Sequence, residues 1–282
     1  MSISSTPERP TTARAAEAGG SAGPTGGPSG PTPASPARTP WMKDTGPVRR
    51  DSVLADRWTG RGASKVTGHV DAGIVDIEGA LTVGGTLRAG SLRIVGPLDV
   101  VGPARVDGAA EIVGPARCGQ SFEAGDLESR GPFSVRGPIQ VPGLAQFQGD
   151  VTLADRATFG RFVGAGSLEA PRGLTAGSVT LEVHRDSSIG QITAGSVVVK
   201  RPPGPPFKMP FFGKERPRLT VLRIEASEVR LDGVDVEVVR ADRVDLGADC
   251  HVARVIGEVR SVDPSSHIGP ESRSPPPYGI HR

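Results

Sequence analysis

The chain has 282 residues, of which 39 are Gly and 27 are Pro, while aromatic residues make up only 4%. Glycine falls far short of one residue in three, which excludes a collagen triple helix, and no run of about 18 apolar residues predicts a membrane-spanning helix. A formal net charge of +2 argues against a general nucleic-acid binder. Cys118 and Cys250 are too widely spaced for a zinc motif or a disulfide framework, so we expect a reducing, cytoplasmic location.

Residues 1–64 predict a disordered N-terminal tail. Pro, Gly, Ala, Ser and Thr dominate, and up to Arg50 the only Ile, Val, Leu or Phe residues are Ile3 and Val48. Such a segment cannot bury enough apolar surface to offset its ordering entropy. The polar start of the chain does not predict a signal peptide. Trp41 and Met42 form an apolar pair in this tail, which is either incidental or a short docking anchor.

From residue 65 onward, glycines recur every six residues and apolar residues stand two and four positions before them. This spacing predicts short strands, each followed by a corner at which glycine permits a bend. Pro often follows the glycine, where it removes no ladder hydrogen bond. The predicted corner glycines are Gly96, Gly102, Gly108, Gly114, Gly131, Gly137, Gly143 and Gly149. The predicted inward-facing core residues are Leu92, Ile94, Leu98, Val100, Val106, Ile112, Val135, Ile139 and Val141.

A longer repeat indicates how these strands are arranged. The motif Ala-Gly-Ser/Asp-Leu/Val recurs, for example at 176–179 and 194–197, which gives one rung about every 17–18 residues. Three six-residue faces per rung predict an all-β protein with a triangular parallel β-helix of roughly ten rungs. A narrow lumen filled by aliphatic side chains would explain the scarcity of aromatic residues. We expect both end rungs to expose open ladders and apolar faces.

The repeat divides the chain into a first block at 65–199, an insertion at 200–218, a second block at 219–269 and a disordered C-terminal tail at 270–282. The insertion is rich in Pro and in apolar and basic residues, so it either covers a flank of the coil or contacts a partner or an anionic membrane surface. Its candidate contact residues are Phe207, Lys208, Met209, Phe211, Phe212 and Lys214.

The stretch AGSLRIVGPLDVVGPARVDGAAEIVG at 89–114 resembles the repeat of the bactofilins, polymer-forming bacterial cytoskeletal proteins. The segment VEVVRADRVDLGADCHVARV at 236–255 is similar to the second block of longer bactofilin-like proteins. The resemblance covers about 65–269. It implies a right-handed β-helix that assembles end to end into filaments without nucleotide, and a role in cell shape or in positioning envelope or cell-wall enzymes. It also implies a location at the inner face of the cell membrane, although MSISSTPERP lacks the apolar targeting stretch of many members.

Catalysis is less well supported. The hexapeptide acyltransferases share a six-residue period, but their pattern places Arg105 or Asp99 at an inward position, where a charge is costly. None of the five histidines stands in a recognisable catalytic motif; they are His69, His184, His251, His267 and His281. The Gly-Lys pair at 213–214 lacks the remaining residues of a phosphate-binding loop. We therefore expect no catalytic residues, no cofactor and no metal.

Three functions stay open at this point. The first is a self-assembling cytoskeletal scaffold, in which copies of the chain are the main partner. The second is a non-polymerising adaptor that binds a partner or a membrane through the insertion at 200–218. The third is a relative of the hexapeptide acyltransferases.

Overall fold

A computed structural model describes residues 38–202 and 217–269. All regular structure in these residues is β-strand, in twenty strands. The strands are β1 (Thr39–Thr45), β2 (Val48–Arg50), β3 (Val53–Arg61), β4 (Ser64–Val66), β5 (Val70–Glu78), β6 (Leu81–Val83), β7 (Leu87–Val95), β8 (Leu98–Val100), β9 (Ala104–Val113), β10 (Ala116–Cys118), β11 (Phe122–Arg130), β12 (Phe133–Val135), β13 (Ile139–Leu153), β14 (Ala157–Ala170), β15 (Leu174–Val183), β16 (Ser187–Lys200), β17 (Leu219–Leu231), β18 (Val234–Leu246), β19 (His251–Val262) and β20 (His267–Ile268).

Every strand pairing among these residues is parallel, and each turn of the chain pairs with the next. Val53 is in register with Val70, and Val70 with Leu87, so one turn of the first block takes 17 residues at these positions. The result is a parallel β-solenoid of about 13 turns. The all-β solenoid that the repeat predicts is confirmed, but the coil has more turns than the ten that we expected.

The solenoid begins before the predicted boundary at residue 65. Strand β1 pairs with β3 from Thr39 onward, and Ala55 and Trp58 are completely buried. The prediction of a disordered tail is therefore wrong for residues 38–64. The prediction relied on composition, and in this segment Gly, Ser and charged residues occupy many positions that are aliphatic in later turns. The other predicted tail residues, 1–37 and 270–282, lie outside the described residues.

The inward side chains of successive turns stack into one continuous core. All nine predicted core residues lie in it, and none has more than 3% of its surface exposed. The expectation of a purely aliphatic lumen is wrong, because Trp58 and five phenylalanines are also buried. The ring centroids of neighbouring phenylalanines are 5.0–6.3 Å apart; these residues are Phe122, Phe133, Phe147, Phe159 and Phe162.

The corner glycines are of two kinds, which the six-residue period does not separate. One column has a single glycine per turn with a φ between +91° and +141°, and it comprises Gly46, Gly62, Gly79, Gly96, Gly114, Gly131, Gly149 and Gly166. At Gly96 an added Cβ would also lie 2.5 Å from the carbonyl oxygen of Gly79. The other predicted corner glycines lack a positive φ and lie at corners where turns pack closely.

The second block coils more tightly than the first. Leu219 pairs with Val234, and Asp235 with His251, which corresponds to turns of 15 and 16 residues. Ser187 pairs with Leu219 across the insertion, so the coil continues in register on both sides of it. Residues 203–216 of the insertion lie outside the described residues.

Candidate assembly surfaces at the ends of the solenoid

The last turn of the described solenoid exposes aliphatic side chains whose register partners in the preceding turn are buried. Val244 is fully buried, whereas its partner Val259 in the next turn is 38% exposed. Leu246 is 2% exposed, whereas its partner Val262 is 43% exposed. The same change separates Val252, at 1%, from its partner Ile268, at 43%. We call Val255, Val259, Val262 and Ile268 the C-terminal end surface.

The C-terminal end surface is exposed because, among the described residues, β20 and the part of β19 after Val252 have a strand partner on one side only. Strand β19 pairs with β18, and β20 pairs with β19 through His251 and His267. An unpaired parallel edge beside exposed aliphatic side chains is a template for another strand. The exposed ladder and aliphatic side chains of this end could therefore pair with a further turn of a β-solenoid.

Charged residues of both signs surround this end. Arg254, Glu258 and Arg260 are exposed on β19, and Asp263 follows the strand. Their formal charges cancel. A balanced rim around an apolar centre is typical of a surface that can face another protein without strong repulsion.

The N-terminal end of the solenoid has a different chemistry. Register with the second turn places Asp44 above Gly60 and Arg50 above Val66, so both charged residues occupy inward positions. The Arg50 guanidinium donates to both oxygens of the Asp44 carboxylate, with Nη2 2.6 Å from Oδ1 and Nε 3.3 Å from Oδ2. The indole Nε1 of Trp58 donates to Asp44 Oδ2 at 2.9 Å. We call these three residues the N-terminal cluster.

The carboxylate of Asp44 is only 6% exposed, and Arg50 and Trp58 supply its hydrogen bonds. Burial by itself raises the pKa of Asp44, but the hydrogen bonds from Arg50 and Trp58 and the charge of Arg50 outweigh it. The pKa of Asp44 therefore lies below its ordinary value, and the carboxylate is ionised at neutral pH. The expectation of an apolar face holds only in part at this end, because the partly buried Met42 and Val48 occupy inward positions while an ion pair occupies two others.

Two arginines fix the ends of the insertion to the second block. Arg201 is largely buried and donates from Nη1 to Asp249 Oδ2 at 2.8 Å. Its guanidinium lies against Gly233, where an added Cβ would collide with it. Arg218 Nη1 lies 2.6 and 2.7 Å from the two carboxylate oxygens of Asp235. The predicted contact residues between these arginines, Phe207 to Lys214, lie outside the described residues.

The four histidines among the described residues, His69, His184, His251 and His267, lie along the coil, and His281 lies outside the described residues. His184 Nε2 lies 3.1 Å from Glu182 Oε1, and His251 Nδ1 lies 3.2 Å from Asp235 Oδ1, so two of them have an acidic neighbour that the sequence motifs did not indicate. The ring of His251 stacks on that of His267 with 5.8 Å between centroids. Within the described residues no group of three or more His, Cys, Asp or Glu side chains could hold a metal ion.

Neither cysteine is placed for thiol chemistry. Both side chains are buried, and Cys118 Sγ lies 3.3 Å from the carbonyl oxygen of Ser121. Burial raises the pKa of both the Cys118 and the Cys250 thiol. A buried thiol that stays protonated is a poor nucleophile, so these residues act as small apolar side chains of the core.

Comparison with protein-family models, with curated proteins and with solved structures finds no match to this chain. Among residues 38–202 and 217–269 no helix is long and apolar enough to cross a membrane.

Sequence reasoning did not identify the residues that distinguish the two ends. Val259 and Val262 are aliphatic like their buried partners Val244 and Leu246, so residue type does not mark them as exposed. Asp44 and Arg50 lie in a segment whose composition predicts a tail. The one available signal was the pair Trp41–Met42, because Met42 packs against the core while Trp41 is exposed.

Proposed function

We propose that this protein is a non-enzymatic, bactofilin-like scaffold that self-assembles end to end through its β-solenoid. The observation that carries the proposal is the C-terminal end surface, where core side chains are exposed beside an unpaired ladder. The right-handed, triangular form of the coil, the cytoplasmic location at the inner face of the membrane and the role in cell shape belong to this proposal. The triangular form rests on the three six-residue faces of each rung and the cytoplasmic location on the two widely spaced cysteines, whereas the right hand, the membrane face and the role in cell shape rest on the resemblance of 89–114 and 236–255 to the bactofilins.

The proposed contact would need no nucleotide. Stacking a second copy on this end would extend the parallel ladder by backbone hydrogen bonds and remove Val259, Val262 and Ile268 from water. Burying apolar surface contributes roughly 25 cal/mol per Å², and a solenoid gains stability from each neighbouring turn. The same forces that stack the turns within one chain would therefore join two chains.

Sedimentation velocity of the purified full chain tests this proposal. We expect wild type to sediment as associated species and Val259→Asp to sediment as a monomer, because the new carboxylate would be buried at the contact. Val101→Asp is the matched control, since Val101 is 56% exposed and lies far from both ends in sequence. Equal association of wild type and Val259→Asp, with circular dichroism showing both folded, would contradict the proposal.

A second candidate is a non-polymerising adaptor that acts through the insertion at 200–218. Its support is the pair of anchors at Arg201 and Arg218, which hold both ends of the insertion against the second block. Liposome flotation tests a membrane role by comparing wild type with a variant in which Phe207, Phe211 and Phe212 are changed to Ser. We expect reduced flotation of the variant if the insertion contacts lipid, and equal flotation would end this idea.

A further inference from the structure

One corner of the solenoid carries an arginine in each of three consecutive turns. Arg136, Arg156 and Arg172 lie one to three positions before strands β13, β14 and β15, whose first residues are in register with one another. All three side chains are exposed, and among the described residues none of them forms an ion pair with an acid. We call these three residues the arginine ridge.

Several exposed arginines elsewhere in the first block do have acidic partners in the next turn. Arg93 Nη1 lies 3.3 Å from Asp76 Oδ1, and Arg105 Nη1 lies 3.4 Å from Glu123 Oε2. Such cross-strand pairs neutralise charge at outward strand positions. The arginine ridge lacks these partners within the described residues, so its charge stays available to another molecule.

Two acids lie in the same turns as the arginine ridge, but neither of them shields it. The carboxylate of Asp155 is turned toward the backbone, where its Oδ1 accepts from Arg156 N at 2.8 Å. Glu169 is exposed on β14, on the face before the corner, and forms no ion pair among the described residues. Since an arginine side chain is longer than an aspartate side chain, the guanidinium groups are the outermost charges at this corner.

We infer that the arginine ridge binds an acidic polypeptide segment of a partner protein. Guanidinium groups pair with carboxylates through two parallel hydrogen bonds, and protein interfaces favour Arg over Lys. The outward column beside the ridge consists of uncharged hydrogen-bonding side chains, Gln140, Thr158 and Thr175, which are in register. These side chains can bond the backbone of an extended segment. The inference rests on the proposed scaffold role and names the chemistry of one of its partners.

A lipid surface fits the arginine ridge less well than an acidic protein does. Peripheral membrane binding combines basic side chains with apolar ones that enter the headgroup region. None of the exposed large hydrophobic side chains in the described part of the chain lies between residues 102 and 202. The ridge therefore offers charge without an apolar anchor, which suits a soluble acidic partner.

Fluorescence anisotropy with a labelled oligoglutamate peptide tests this inference on the full chain. We expect wild type to bind the peptide, with an affinity that falls as salt is added, because the pairs would be exposed to solvent. We expect the triple variant Arg136→Gln, Arg156→Gln and Arg172→Gln to bind about tenfold more weakly, since three exposed ion pairs would be lost. Circular dichroism checks that the variant is folded.

The matched control removes the same charge from arginines that have acidic partners, namely Arg93→Gln, Arg105→Gln and Arg130→Gln. We expect this control to bind the peptide like wild type. An equal loss in both triple variants would reduce the effect to net charge and overturn the inference. Absence of peptide binding by wild type would overturn it too, as would tighter binding of an oligothymidylate or of phosphatidylglycerol vesicles.

Sedimentation velocity separates this inference from the proposed function. We expect the ridge variant to associate like wild type, because the arginine ridge lies away from the C-terminal end surface. Loss of association in the ridge variant would mean that the ridge contacts a second copy, which would overturn the inference. A wild type that is monomeric but binds the peptide would contradict the proposed self-assembly and leave the acidic partner supported.

Discussion

At the scale of single residues, the core is built by matching sizes between turns. Phe122 follows Ala104 in its column, Phe133 follows Ala116, and Phe147 lies between Ser129 and Gly164. A ring fits the lumen where its neighbour one turn away is small, as close packing requires. The sequence predicts which positions face inward, because two-residue alternation is local. It does not predict the sizes, because they depend on residues about 17 positions apart.

Ser129 provides a test of this size matching. Its side chain is fully buried beside Phe147, and its Oγ finds no hydrogen-bond partner among the described residues. We expect Ser129→Ala to leave the free energy of unfolding unchanged or to raise it by about 0.5–1 kcal/mol, because an unpaired buried hydroxyl is removed. Chemical denaturation followed by circular dichroism measures the change.

Ser187 is the matched control. It is also buried, but its Oγ accepts from Leu168 N and donates to Arg185 O, both at 3.0 Å. We expect Ser187→Ala to lower the free energy of unfolding by about 1 kcal/mol, since two buried backbone groups lose a partner. Equal losses in the two variants would mean that Ser129 has a partner after all.

Asp44 predicts a dependence of stability on pH. Its folded pKa is lowered, so its stabilising effect is complete above the ordinary value of about 3.9 and is lost as pH falls through the folded value. We expect Asp44→Asn to lower the melting temperature at pH 7, and we expect this difference to shrink only as pH falls through the lowered pKa of Asp44, where the wild-type carboxylate also takes up a proton. The exposed Asp99→Asn serves as control. A melting difference that already disappears well above the ordinary pKa of an Asp would contradict the role of the ionised pair.

At the scale of elements, the repeat predicts strands, corners and parallel stacking, since all three follow from apolar residues placed at fixed distances from glycine. It does not separate the two kinds of corner, because a positive φ depends on the path of the backbone between strands. It also misses the start of the coil. Strand β1 forms through pairing with β3, and its inward positions include Asp44, which no apolar pattern marks.

The two kinds of corner should respond differently to the same substitution. Gly96 combines a φ of +140° with an added Cβ that would lie 2.5 Å from Gly79 O, whereas Gly108 has no positive φ and its Cβ would lie 2.9 Å from Gly90 O. We expect Gly96→Ala to destabilise the coil by about 1–3 kcal/mol more than Gly108→Ala, because only the former also strains the backbone. Thermal denaturation of both variants measures the difference, and equal melting temperatures would contradict it.

At the scale of the whole molecule, the proposed function depends on the side chains that the last described turn exposes. Val259 and Val262 are in register with the buried Val244 and Leu246, so they become a surface only because the described ladder ends after β20. A sequence pattern can predict that both ends of a solenoid have unpaired strands and exposed apolar side chains. It could not show that the first turn carries a buried ion pair, because this depends on Asp44, Arg50 and Trp58 meeting in the lumen.

Electron microscopy of the negatively stained full chain tests end-to-end association most directly. About 13 turns, spaced about 4.8 Å apart, give a solenoid about 60 Å long. We predict rods of at least twice that length for wild type and of single length for Val259→Asp. Single-length rods for both wild type and the control Val101→Asp would contradict end-to-end association.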